Sequence, residues 1–129
     1  MEGIVGVLMQ ITEEDRSTYE RDGVVCVRGV FSPAWLAFLA DAVEEAIASP
    51  GPHAEDYAAR GGSGRFFGDI ELSLRLSRFR RFALESPAGE IAGRIMGASR
   101  VNFFYDQLLV KEPGTSERTP WHQDRFNAQ

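Results

Sequence analysis

Apolar residues recur at helical spacing in some stretches of the chain and gather in β-branched or aromatic runs in others, which predicts a mixed α+β fold. TEEDRSTYERDG, residues 12–23, predicts a short helix: Thr12 caps it, acids fill the first turn where the helix dipole favours them, and Gly23 ends it. VVCVR, residues 24–28, predicts a strand running through Gly29 and Val30 to Phe31. Ser32 and Pro33 then supply an N-cap and a first-turn proline. In the long helix they open, Trp35, Leu36, Leu39, Val43 and Ile47 form the core stripe, while Asp41, Glu44 and Glu45 lie outside it.

From Ser49 to Gly64 the periodicity stops, and SPGPHAEDYAARGGSG predicts a surface loop containing His53. A single helix is predicted over residues 70–86, with Leu72, Leu76, Phe79 and Ala83 on its apolar stripe. Arg75, Arg78 and Arg81 fall off that stripe, as a solvated face or as a grip on an anionic substrate. Ser86, Pro87 and Gly97 bound a shorter helix. RVNFFYDQLLVKEPG then predicts a strand from about Val101 to Lys111, stopped by Pro113 and Gly114. Phe103, Tyr105, Gln107, Leu109 and Lys111 share one of its faces, and Asn102, Phe104, Asp106, Leu108 and Val110 the other. Both faces mix polar and aromatic groups, as a pocket wall or a bulged strand would.

Composition fits one globular domain over residues 1–129, with 43% hydrophobic and 26% charged residues. A net charge of −5 argues against a nucleic-acid partner, whose phosphates need a basic face. No stretch approaches a membrane span, and the N-terminal MEGIVGVLMQ has neither a basic leader nor a small-residue cleavage pattern. Cys26 is the sole cysteine; within VVCVR it reads as a buried strand thiol, and a reducing, cytoplasmic compartment is expected.

The chemistry concentrates in PWHQD, residues 120–124. On a strand, residues two apart project from one face, so His122 and Asp124 could grip one metal ion together; a solvated polar pair satisfies the same spacing. The succession YERDGVVCVRGVFSPAWLAFL, then IMG, then NFFYDQLLVKEPGTSERTPWHQD resembles the N-terminal half of the phytanoyl-CoA dioxygenase family, non-haem Fe(II) and 2-oxoglutarate-dependent oxygenases. The resemblance implies that His122 and Asp124 are two arms of a two-His-one-carboxylate triad for Fe(II), on a double-stranded β-helix of jelly-roll (cupin-like) type preceded by helices. It further implies that 2-oxoglutarate is decarboxylated to succinate while a small-molecule substrate is hydroxylated by dioxygen. Gln107 and Thr119 become candidate donors to a 2-oxoglutarate carboxylate. Trp121 and Gln123 would face away from the metal.

The family's distal histidine, and its arginine for the far carboxylate of 2-oxoglutarate, lie well beyond this motif. Only Arg125, Phe126, Asn127, Ala128 and Gln129 follow Asp124. A jelly roll also needs eight strands, against about three or four legible here. The expectation is an incomplete, N-terminal portion of such an oxygenase, from truncation, a split gene or an early stop, that binds iron weakly and by itself releases no succinate. It would need a complementing C-terminal segment or self-association. The competing expectation is a non-catalytic α+β binding or interaction module derived from that family.

Overall fold

The computed structural model describes residues 11–56, 64–115 and 118–119. In chain order its elements are α1 (Glu13–Asp22), α2 (Pro33–Ala48), β1 (Glu55–Asp56), β2 (Phe66–Ile70), α3 (Leu72–Arg75), α4 (Ser77–Glu85), α5 (Ala88–Met96) and β3 (Gln107–Lys111). The strands form one antiparallel sheet in the order β1-β2-β3. Ile70 pairs with Gln107 and Phe66 with Lys111, so β2 is the central strand. Helices and a small antiparallel sheet make the fold α+β.

The helix boundaries follow from local chemistry. Thr12 and Asp15 form a reciprocal capping box, with the Asp15 amide donating to Thr12 Oγ1 at 3.2 Å and the Thr12 amide to Asp15 Oδ2 at 2.8 Å. Those bonds from the Thr12 backbone and hydroxyl favour the charged form and hold the Asp15 carboxyl below its ordinary pKa. Gly23 closes α1 at φ 73°, where a Cβ would be strained. Ser32 Oγ accepts from the Trp35 amide at 3.3 Å to open α2.

The deepest packing lies where α2 crosses α3 and the sheet. Ala46, Leu72 and Leu76 form the buried cluster, with Phe79 and Leu108 against it. On α2 the fully buried positions are Ala42 and Ala46, while Leu36 is 56% exposed. Of the expected stripe Trp35, Leu39, Val43 and Ile47 are half-buried and only Leu36 is exposed, so the stripe holds and widens to Ala42 and Ala46, whose small side chains sit deepest. Trp35 stacks edge-on against Phe82 of α4 at 5.8 Å and extends this layer.

Several expectations are corrected. Residues 24–28 are not a strand: Val25 and Val27 are half-buried and Val24, Cys26 and Arg28 exposed, so the alternation holds, but among the described residues no strand pairs with them. Cys26 is accordingly exposed rather than buried. The helix expected over residues 70–86 is two helices, broken at Leu76, whose φ of −111° and ψ of 116° are extended. The strand expected from Val101 begins only at Gln107. Within it the alternation is as read, with Leu108 and Val110 turned inward and Gln107, Leu109 and Lys111 outward.

β2 is the element that sequence pattern missed, and a buried acid explains its place. Asp69 is only 1% exposed. Its carboxylate accepts from the Gly51 amide at 3.0 Å and the Ile70 amide at 2.9 Å, and pairs with Arg75. Arg75 Nη1 also donates to the Ser49 carbonyl at 2.6 Å. One ion pair thus fastens the end of α2, the central strand and α3. Beside it, Asp106 caps α3 from a distance, accepting from the Ser73 amide at 2.9 Å and from Ser73 Oγ at 3.0 Å. Glu71, between β2 and α3, takes a left-handed φ of 57° and donates its amide to the Asp106 carbonyl.

Candidate functional site

β3 leads directly toward the PWHQD segment, so its end is built from the residues upward. Lys111 closes the strand with its ammonium 4.8 Å from the centre of the Phe66 ring on β2. Glu112 follows, and then the turn at Pro113 and Gly114, the latter at φ 94°. Here Arg65 and Glu112 bond twice through their backbones and side chains. The Glu112 amide donates to the Arg65 carbonyl at 2.8 Å, and the Arg65 amide to Glu112 Oε2 at 3.0 Å. The guanidinium then reaches both carboxylates around it. Arg65 Nε and Nη2 lie 2.7 and 2.6 Å from Glu112 Oε1, while Nη1 and Nη2 donate to the two oxygens of Glu44 on α2 at 3.2 and 3.3 Å.

Electrostatics follow that geometry. The Arg65 side chain hydrogen bond, then its amide, holds Glu112 below the ordinary carboxylate range; Glu112 and Glu44 in turn raise the guanidinium's affinity for its proton. Gly64 makes the approach sterically feasible. A Cβ there would collide with the Pro113 carbonyl oxygen and lie 2.9 Å from that of Glu112. None of these residues carries a local sequence signal. Arg65 and Glu112 are 47 positions apart, and only knowledge of the β2–β3 register brings them together.

Gln107 opens β3 with an exposed side chain, paired in register with Ile70. Thr119 is exposed and outside helix and strand. His122 and Asp124 lie outside the described residues. His53 sits exposed in a turn, and among the described residues no group of three or more His, Cys, Asp or Glu is placed to hold a metal. The test of fit for iron therefore rests on donor chemistry: an imidazole nitrogen and a carboxylate oxygen are the donor types that a facial non-haem Fe(II) site uses.

The arginines of residues 75–81 resolve toward pairing. Arg75 pairs with Asp69, Arg78 with Glu45 at 3.2 Å and Asp41 at 3.7 Å, and Arg81 with Glu85 at 3.0 Å. Arg78 and Arg81 also lie over the Phe38 ring, at 5.5 and 5.2 Å. These neighbours satisfy the cluster as a surface face. A cleft of about 200 Å³ opens between α4 and residues 103–106, walled by Leu74, Leu84, Phe103 and Phe104 with Arg80 and Asp106 at its edge. A wider one of about 780 Å³ lies between α1 and α5. Neither is lined by Gln107 or Thr119.

Among the described residues no helix is long and apolar enough to cross a membrane. Compared with known proteins, residues 19–129 match the family model described as phytanoyl-CoA dioxygenase. No curated protein and no solved structure matches.

Proposed function

The chain belongs to the phytanoyl-CoA dioxygenase family, and from that premise we propose that it serves an Fe(II)- and 2-oxoglutarate-dependent hydroxylation of a small-molecule substrate, with His122 and Asp124 as two metal ligands. The observation that carries this reading is that the family match runs through residues 120–124, where an imidazole and a carboxylate stand two apart behind the turn that ends β3. The family in general uses Fe(II) and 2-oxoglutarate. With iron bound, 2-oxoglutarate and dioxygen supply the oxidation, giving succinate, carbon dioxide and a hydroxylated substrate.

The chain's own residues then have simple tasks. His122 binds through a neutral imidazole nitrogen, and Asp124 offsets part of the cation's charge. Gln107 and Thr119, both exposed, offer hydrogen bonds to a carboxylate of 2-oxoglutarate.

Anaerobic Fe(II) titration is the test. His122→Ala and Asp124→Ala are each expected to lower affinity by tenfold or more, because either change removes a ligand outright. Unchanged affinity in both variants would overturn the assignment. A second reading, a non-catalytic binding module, is favoured by the exposed aromatic face of Phe103 and Phe104. Succinate release with added Fe(II), ascorbate and 2-oxoglutarate, measured with a segment carrying the family's distal histidine and arginine supplied, separates the two: release that is lost in His122→Ala supports the oxygenase, and none under any substrate class supports the module.

A further inference from the structure

The sheet ends at β3, and the outer edge of that strand is open. The Glu71 amide donates to the Asp106 carbonyl at 2.9 Å and the Glu112 amide to the Arg65 carbonyl at 2.8 Å, which fixes the phase of the β2–β3 ladder. Leu108 and Val110 therefore turn their backbone N–H and C=O toward β2, and Gln107, Leu109 and Lys111 turn theirs away from it. Among the described residues nothing bonds to those outward groups. We infer that they take up a second copy of this chain, the two β3 strands pairing antiparallel about a two-fold axis at Leu109.

The strand itself sets the register. With Leu109 opposite Leu109 of the second copy, Gln107 faces Lys111 and Lys111 faces Gln107, so every outward N–H meets an outward C=O, in about six backbone bonds. A shift of two residues leaves fewer pairs within the strand, and a shift of one sets outward groups against groups already bonded to β2. Parallel pairing would set one Lys111 ammonium beside the other. Side chains agree with the antiparallel register. Paired residues share a face, so the two Leu109 side chains, each 50% exposed, cover one another, and Gln107 offers a carboxamide oxygen to the facing ammonium. The opposite edge of the sheet gives the contrast. β1 is two exposed acids, Glu55 and Asp56, which repel a like edge, whereas β3 has no acid, proline or bulge between Gln107 and Lys111. Its one charge, Lys111, stands at the strand's end against the Phe66 ring. Beyond the strand Glu112 would meet Asp106 of the second copy, carboxylate against carboxylate, and the ladder stops there.

Sedimentation velocity in metal-free buffer is the test. An edge contact this small sits at the weak end of stable interfaces and should give a dimer with a Kd of about 10–100 µM. Exchange of the Gln107, Leu109 and Lys111 amides should slow as protein concentration rises, while Leu108 and Val110 stay protected throughout. Leu109→Pro removes an outward N–H and leaves the bonds to β2 in place, and Leu109→Lys sets like charges at the axis. Each is expected to raise the dimer Kd by about tenfold or more, with the circular dichroism spectrum of the unaltered chain. Cross-linking locates the contact: in a Cys26→Ser background, Leu109→Cys should join two copies through a short bismaleimide, and Leu74→Cys, in the aromatic cleft and 75% exposed, should not. A monomer at about 1 mM, a dimer unaffected by folded Leu109→Lys, or preferential joining through Leu74→Cys would overturn the proposal. Protected outward amides in a monomer would overturn it as well, by showing that the chain covers its own edge.

Discussion

At the scale of single residues, the most consequential pair is Asp69 with Arg75. The acid is enclosed, and its charge is met by one guanidinium and two backbone amides. Removing only the cation leaves an uncompensated buried carboxylate, so Arg75→Met should cost about 3 kcal/mol, read from the urea midpoint. Asp69→Asn combined with Arg75→Met should cost less than the sum of the separate changes, because neither charge is then stranded. Strict additivity would show that the pair is not coupled. None of this was legible from the residues: Arg75 falls off an apolar stripe, and GRFFGDI carries no strand pattern distinct from a loop. His122 and Asp124 came forward as ligand candidates only through resemblance, since spacing alone fits a solvated pair equally well.

At the scale of elements, helix ends were readable because their chemistry is local. Thr12, Gly23, Ser32, Pro33 and Gly97 act within a few residues of themselves, and each bounds a helix where expected. Ser32→Ala should therefore cost about 1 kcal/mol in thermal unfolding, with Ser32→Asp recovering most of it. Leu72, fully buried in the central cluster, is a larger test: Leu72→Ala should cost about 2–5 kcal/mol, by the same measurement. Strands were less readable because pairing partners decide them. Residues 24–28 have strand composition without a partner among the described residues, whereas β2 has a partner on each side and a mixed sequence. The break at Leu76 is hidden by a periodicity that continues across it.

For the molecule as a whole, the mixed class was legible and the sheet order was not. Solvent-accessible carboxylates held in their charged form add a small acid-sensitive contribution to the stability of the fold. Glu112 and Asp15 both titrate below their ordinary values in the folded chain, so the stability they contribute is present above the unfolded-state pKa and is lost as pH falls through the folded one. Circular dichroism should show stability falling below about pH 4.5, the ordinary glutamate value, and Glu112→Gln should lessen that slope. The long detour between β2 and β3 has a kinetic meaning. Three helices separate strands that end as neighbours. Closing a loop of some 36 residues opposes that pairing by about 3 kcal/mol before any contact offsets it. Helices α3 to α5 are local and should form early, shortening the gap that the strands must close; the sheet then assembles late, and β3 is the strand that a refolding chain adds last.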